Sequence, residues 1–287
     1  MIYTYTKYLI QLTWLSFLLG LSSYAWCADI VKDKEEVLVN VTLQFELVDG
    51  LIVVQASKDG LPGNYIFDTG APRLMVNQKV DDEDFHLWTV KGSQKGEKID
   101  VSTFEYGTIL EQDVEAWAMD LTYLEEMIGR PVAGILGHNL LKGYSVEIDY
   151  QLNEISFIID RNAYKNSSDN YEITSLSISS YADHLPIVEL KIDGEIKKLV
   201  FDTGAAISVL DQVDATQSIL LHASMPITIN HIKIDNAPFC VKDISELTSK
   251  PGSEIDGILS VSSLDAAKVL IDHNSKRVFL FWAKEKA

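Results

Sequence analysis

The chain has 287 residues, of which 47% are hydrophobic, and this composition is typical of a folded globular protein long enough for two domains. Its formal net charge of −18 opposes binding to nucleic acid and to anionic membrane surfaces, so we expect neither partner. The two Cys and six His show no metal-ligand spacing, and no glycine-rich phosphate loop is present, so the sequence predicts no metal and no cofactor.

The N-terminus has the layout of a secretory signal peptide. Lys7 precedes an apolar run over residues 9–21, and small residues around Ala25 lead to the acidic Asp29. This run is short for a membrane span, which needs about 20 residues. We therefore expect residues 1–28 to be removed and the mature protein to be exported, periplasmic or extracellular, with no stable membrane span. An uncleaved anchor and a lipid anchor at Cys27 are the alternatives.

The remaining chain is dominated by strand patterns. Residues 37–45 alternate between apolar and polar, as a half-buried strand does, and many short β-branched runs bounded by turn residues follow. Helical periodicity is brief and predicts short helices only at residues 121–127, 140–142 and 262–269. Residues 161–170, rich in Asn, Ser and Asp, predict a linker. We expect a mostly all-β protein with an N-terminal lobe at 29–160 and a C-terminal lobe at 171–287.

The two predicted lobes repeat the same motifs in the same order. In each lobe an apolar run is followed directly by Asp-Thr-Gly-Ala, which begins at Asp68 in the first copy and at Asp202 in the second. In both copies another apolar run begins 17 residues before the Asp, and an Asp-Gly pair between them predicts a hairpin turn. Gly-Ile-Leu follows at residues 134–136 and 257–259, and an apolar strand ending in Asp comes 15 residues later. An internal repeat of this length indicates a duplicated domain.

These motifs resemble those of the pepsin and retropepsin superfamily of aspartic proteases, and the residues 135–141, Ile-Leu-Gly-His-Asn-Leu-Leu, are closest to the retropepsin side. The resemblance implies two pseudo-symmetric acid-protease lobes, β-barrel-like, with an active-site cleft between them. It implies that Asp68 and Asp202 are the catalytic carboxyl groups. It also implies support from Thr69, Gly70, Thr203 and Gly204, with the threonines bonded across the pair.

The extra length of the first copy falls where this superfamily carries a flap. Residues 89–99 have apolar arms, and the polar tip is expected at Gly92, Ser93, Gln94, Lys95 and Gly96. Such a hairpin suits a mobile lid, and an ordinary surface hairpin is the alternative. Two departures from the family pattern stand out. Ser260 occupies the position of Gly137 in the second copy, and Pro72-Arg73 follows the first triplet.

The sequence therefore predicts an aspartic-type endopeptidase that hydrolyses peptide bonds with water. Two close carboxyl groups share one proton, so one can act as acid while the other acts as base. The substrate would be a peptide or protein, and the active unit a monomer, because one chain supplies both halves. The alternative is a catalytically silent peptide-binding module on the same scaffold.

Overall fold

The computed structural model describes residues 41–81, 84–89, 92–159, 170–182, 185–211, 221–244 and 255–284. All of them belong to one compact unit, Asn40–Ala287. The predicted signal peptide, the residue Cys27 and nearly all of the predicted linker lie outside the described residues. Strands account for 65% of the structure and helices for 8%, which confirms the mostly all-β expectation.

The described residues form nineteen strands and three short helices. The strands of the first half are β1 Val41–Val48, β2 Leu51–Lys58, β3 Leu61–Phe67, β4 Leu74–Asn77, β5 Phe85–Thr89, β6 Gly92–Tyr106, β7 Ile109–Met119, β8 Gly134–Leu136, β9 Ser145–Asp149 and β10 Glu154–Ile158. Those of the second half are β11 Tyr171–Ala182, β12 Leu185–Ile192, β13 Glu195–Asp202, β14 Ser208–Asp211, β15 Leu221–Ile229, β16 Ile232–Lys242, β17 Gly257–Ser260, β18 Lys268–Asp272 and β19 Arg277–Ala283. The helices are α1 Thr122–Ile128, α2 His138–Leu141 and a 3-10 helix, Val261–Leu264.

Strand pairing in the first half recurs in the second. The hairpin β2–β3 corresponds to β12–β13, and both turns contain the predicted Asp-Gly pair. Strand β3 runs parallel to β8, as β13 does to β17. Strand β4 runs parallel to β7 and antiparallel to β8, as β14 does to β16 and β17. The repeated sequence motifs therefore occupy equivalent positions in two equivalent sets of strands.

A third set of strands joins the halves. Strands β9 and β18 pair antiparallel, with Asp149 opposite Lys268 and Ser145 opposite Asp272. Strand β10 extends this sheet on the side of β9, and β19 extends it on the side of β18. Lys268 and Asp149 also form a salt bridge of 2.5 Å. The halves thus share a backbone hydrogen-bonded sheet, which fixes how the strands on either side are oriented.

Each half buries its own large apolar cluster. One is built around Phe67, Phe104 and Phe157, and the other around Phe201 and Phe239. Phe67 and Phe201 immediately precede Asp68 and Asp202, and both rings are inaccessible to solvent. Burying an aromatic or large aliphatic side chain contributes roughly 1.5–3 kcal/mol. The strands that end at the two aspartates are therefore anchored by the cores behind them.

Two of the predicted helices are present and one prediction is wrong. Helix α1 matches the first, and it ends where Gly129 adopts a left-handed conformation (φ 71°) and donates to the Glu125 carbonyl. Helix α2 overlaps the second. The helix expected at 262–269 is reduced to the 3-10 helix, and its last residues belong to β18. Pairing of β18 with both β9 and β19 outweighs the local helical pattern.

Candidate active site

Asp68 and Asp202 lie at equivalent ends of equivalent strands and come together. Asp68 directly follows β3, and Asp202 is the last residue of β13. Because each strand pairs with neighbours on both sides, its end is held rigidly. The two carboxyl groups lie within hydrogen-bonding reach of each other, and both side chains are half-buried. Residues 134 positions apart in the chain thus form one site.

The two triplet loops are joined by four reciprocal hydrogen bonds between the threonines and the opposite backbone. The Thr69 hydroxyl donates to the Phe201 carbonyl (2.9 Å) and accepts from the Thr203 N–H (3.1 Å). The Thr203 hydroxyl donates to the Phe67 carbonyl (3.1 Å) and accepts from the Thr69 N–H (3.0 Å). A hydroxyl can be donor and acceptor at once, so each threonine satisfies two buried backbone groups. This is the cross-bonding that the resemblance implied.

Gly70 and Gly204 allow the close approach of the two loops. A Cβ at Gly70 would lie 2.4 Å from Asp202 Cγ, and a Cβ at Gly204 would lie 2.2 Å from Asp68 Cγ. Real Cβ atoms are not found so close to another heavy atom, so any other residue would push the opposite carboxyl group away. Each glycine of the repeat is therefore explained by the aspartate of the other copy.

Backbone N–H groups surround both carboxyl groups. Asp68 Oδ1 accepts from Gly70 (2.7 Å) and Ala71 (3.1 Å), and Asp202 Oδ1 accepts from Gly204 (2.7 Å). Burial nevertheless raises the pKa of Asp68, with the surrounding donors acting in the opposite direction. Burial together with the negative charge of Asp68 raises the pKa of Asp202 well above its ordinary value. The pair therefore retains a proton at a pH where an isolated aspartate has lost it.

The predicted hairpin of the first half is present, but its tip is not where the sequence indicated. Residues Gly92, Ser93, Gln94, Lys95 and Gly96 lie inside β6 and pair with β5, with Thr89 opposite Gly92. The connection between the two strands is therefore residues 90 and 91, which lie outside the described residues. Gly96 marks a contact rather than a turn, because a Cβ there would lie 2.4 Å from the Phe85 ring.

Aromatic and charged side chains connect the base of this hairpin with the loop after Asp68. The Phe85 ring packs against Trp117 of β7, with ring centroids 4.6 Å apart. The Arg73 guanidinium lies 5.6 Å from the Trp117 ring centroid and forms a salt bridge with Glu115. Arg73 therefore points towards β7 and its exposed carboxylate. This contact links the hairpin with the segment that follows the first triplet.

Sequence reasoning missed the residues that hold the loops behind the dyad. The Asn139 amide oxygen accepts from the Leu74 N–H (2.8 Å), and its amide nitrogen donates to the Glu115 carbonyl (3.1 Å). In the second half the hydroxyl groups of Ser208, Ser260 and Ser263 take over this region. The signal available in the sequence was position: Asn139, Ser260 and Ser263 come shortly after the repeated Gly-Ile-Leu motif, and Ser208 comes shortly after the second triplet.

Among the described residues, no group of three or more His, Cys, Asp or Glu side chains could hold a metal ion. None of the helices in this part of the chain has the length and apolar character to cross a bilayer. His138 is buried and stacks edge-to-face on His273, with ring centroids 4.8 Å apart. His86 lies 3.1 Å from the Ser93 hydroxyl across the β5–β6 hairpin. Both histidines are thus held by contacts with neighbouring side chains of the fold.

The chain was compared with models of known protein families and with curated proteins, and nothing matches it in either comparison.

Proposed function

We propose that this protein is an aspartic-type endopeptidase whose catalytic groups are Asp68 and Asp202. The observation that carries the proposal is the facing pair of carboxyl groups. Reciprocal threonine bonds hold their loops together, and glycines stand at the two positions where the opposite aspartate leaves no room for a Cβ. The pair is partly exposed, so a substrate and a water molecule can reach it. Preorganised carboxyl groups of this kind serve as a paired acid and base.

The proposed reaction uses the proton that the pair shares. One carboxylate removes a proton from water, and the water oxygen attacks the carbonyl carbon of the scissile peptide bond. The other carboxyl group donates its proton to the carbonyl oxygen. When the tetrahedral intermediate collapses, the C–N bond breaks, and the carboxyl group that took the proton from water passes it to the leaving nitrogen. A hydroxyl group of the intermediate returns its proton to the other carboxylate, so the pair regains its starting state. No nucleophilic side chain is consumed, and the chemistry needs no metal.

The scaffold of this proposal is two pseudo-symmetric acid-protease lobes with a cleft between them. The recurrence of the same parallel and antiparallel pairings around β3 and β13 supports it. Two separate apolar clusters, one in each half, support it as well. We propose lobe boundaries at 29–160 and 171–287, joined by residues 161–170.

The β5–β6 hairpin is the proposed lid of the cleft. Its base is fixed by the Asp84 side chain, which accepts from the Lys98 N–H (2.8 Å), and by the contact of Phe85 with Trp117. A hairpin fixed at its base and extended at its far end can close over a bound peptide and exclude water. In the second half, β15 and β16 correspond to β6 and β7, because β16 pairs with β14 as β7 does with β4, and β15 pairs with β12 as β6 does with β2.

We propose that the protein is exported and that its active form is a monomer. The apolar segment after Lys7 supports export with loss of residues 1–28, so that the enzyme acts on peptides or proteins in the periplasm or outside the cell. Both aspartates come from one chain, so a monomer can be active. Sedimentation of the active fraction and mass spectrometry of the mature N-terminus test these two statements.

The function is tested by incubating the mature protein with a diverse peptide library between pH 3 and 8, followed by mass spectrometry of the products. We expect internal cleavage with a preference for acidic to neutral pH, abolished by Asp202→Asn. A catalytically silent peptide-binding module would retain peptides without cleaving them, which equilibrium dialysis with the same library detects. Cleavage that persists in Asp202→Asn would contradict the proposed site.

A further inference from the structure

The segments behind the two aspartates are built differently. In the first half Gly137 directly follows β8 and lies opposite Asp68. A Cβ at Gly137 would lie 2.2 Å from the Arg73 carbonyl oxygen and 2.8 Å from the Ala71 carbonyl oxygen. In the second half the equivalent residue is Ser260, which pairs with Asp202 and is inaccessible to solvent. A CH2OH group is therefore accommodated behind Asp202 where even a methyl group is excluded behind Asp68.

The carbonyl groups of Ala71 and Ala205 occupy equivalent positions in the two loops, but their hydrogen-bond donors differ. The Ala71 carbonyl accepts from the backbone N–H of His138 (2.8 Å). The Ala205 carbonyl, its equivalent after Asp202, lies 2.5 Å from the Ser260 hydroxyl oxygen. A carbonyl can only accept, so the hydroxyl hydrogen of Ser260 is committed to Ala205. A side chain thus takes the role that a main-chain donor has in the other half.

Further contacts fix this hydroxyl group in place. The Ser260 N–H donates to the buried Ser208 hydroxyl (3.0 Å), and Ser262 Oγ lies 2.6 Å from Ser260 Oγ. Ser262 Oγ also lies 3.1 Å from the Ala206 carbonyl oxygen. On the other side, Gly50 of the β1–β2 turn contacts Ala206 so closely that a Cβ there would lie 3.3 Å from its carbonyl. The loop after the second triplet is therefore held between serine hydroxyls and the first half of the chain.

We propose that Ser260 is a positioning residue for Asp202, because its buried hydroxyl holds the Ala205 carbonyl and thereby the loop whose Gly204 N–H donates to the Asp202 carboxylate. This inference deepens the proposed function and rests on it. In this role Ser260 acts through the loop of residues 204–206, which its hydroxyl contacts.

If Ser260 has this role, loss of its hydroxyl should change the proton affinity of the Asp68–Asp202 pair. The N–H groups of Gly204 and Ala205 stabilise the charged form of Asp202 and oppose the effect of burial on its pKa. Loss of the Ser260 hydroxyl leaves the Ala205 carbonyl without that donor and lets the loop relax. The N–H groups then point less accurately at the carboxylate, and the pair holds its proton to a higher pH.

The test is a pH titration of the aspartate carboxyl groups by ¹³C NMR in the mature protein, with Asp68 and Asp202 assigned by the signals lost in their Asn variants. For Ser260→Ala we expect the upper apparent pKa of the pair to rise by roughly half a unit or more. Ser260→Gly, which installs the residue of the first half, should raise it as well. The matched control is Ser145→Ala, which removes an equally buried hydroxyl, bonded to Asp272 in the central sheet.

The control separates positioning from general stability. Ser145→Ala should lower the free energy of unfolding as Ser260→Ala does, while leaving the titration of the dyad unchanged. An unchanged titration in folded Ser260→Ala and Ser260→Gly, or an equal shift in Ser145→Ala, overturns the inference. Failure of both Ser260 variants to fold overturns it too, in favour of a purely structural role. The titration needs no turnover, so a protein without peptidase activity would end the proposed function while the titration still decides this inference.

Discussion

Gly204 lies directly against the carboxyl group of Asp68, so close that a Cβ at Gly204 would lie 2.2 Å from Asp68 Cγ. The same relationship holds between Gly70 and Asp202. The close packing of the two copies of the motif therefore explains why each copy carries a glycine at this position.

Replacing either glycine should abolish activity by displacing the opposite carboxyl group. For Gly204→Ala and Gly70→Ala we expect kcat/KM for peptide cleavage to fall roughly 100-fold or more, because a shift of about 1 Å in a catalytic group has effects of that size. Gly143→Ala is the matched control, since no atom lies within 4 Å of its added Cβ. Near-normal activity in Gly204→Ala would show that the carboxyl positions are not critical.

Removing either carboxyl group should stop hydrolysis. Asp68→Asn and Asp202→Asn preserve shape but cannot exchange the shared proton, so each should lose nearly all peptide turnover. Because the two groups act as a unit, the double variant should be scarcely less active than either single one. Initial rates on a cleaved library peptide measure this, with circular dichroism as the check on folding. Additive losses would mean that the two aspartates act independently.

The same substitution at Asp202 should change stability with pH. The pKa of Asp202 is raised in the folded state by burial and by Asp68, so its contribution to stability is present below the unfolded pKa of about 4 and is lost as pH rises through the folded value. Asp202→Asn should therefore have a higher Tm than the parent at pH 7, and this advantage should disappear near pH 3. Each unit of raised pKa corresponds to about 1.4 kcal/mol. A lower Tm at pH 7 would contradict this electrostatic account.

The threonine hydroxyls should be needed to hold the two loops together. Thr69→Val keeps the shape but leaves the Phe201 carbonyl and the Thr203 N–H without their partner. With a cost of about 1–3 kcal/mol for each buried unsatisfied group, we expect a loss of roughly 2–6 kcal/mol in the free energy of unfolding, measured with urea. Thr69→Ser, which keeps the hydroxyl, should lose much less. Equal losses in the two variants would assign the effect to the methyl group instead.

The hairpin contact at Phe85 should affect substrate capture more than global stability. Phe85→Ala removes a packed aromatic pair worth about 0.5–1.5 kcal/mol, and the base of the β5–β6 hairpin loses its contact with Trp117. If the hairpin is a lid, KM should rise by up to about tenfold with a change in Tm of only a few degrees. Leu110→Ala, at an exposed apolar residue of β7, is the control. Unchanged KM would leave the segment as an ordinary surface hairpin.

Much of this arrangement follows from local patterns. The apolar run before each Asp-Thr-Gly predicted the strands that deliver Asp68 and Asp202, and the Asp-Gly pairs predicted the turns of β2–β3 and β12–β13. Equal spacing of the repeated motifs predicted that the two aspartates would meet. The strands and turns depend on neighbours a few residues apart, whose preferences are visible in the sequence, and the meeting of the aspartates was visible through the internal repeat.

Other features were decided only by contacts between distant residues. Gly92 and Gly96 read as a turn, yet Gly96 belongs to β6 because the Phe85 ring fills the space where a side chain would be. Residues 268–269 read as the end of a helix, yet pairing with β9 made them part of β18. Ser260 read as a weak copy of Gly137, yet its hydroxyl takes the place of a main-chain donor. The sequence by itself determined the strands, turns and paired aspartates, whereas tertiary structure decided which atoms fill the space between them, because packing and hydrogen bonds at long range have no local signature.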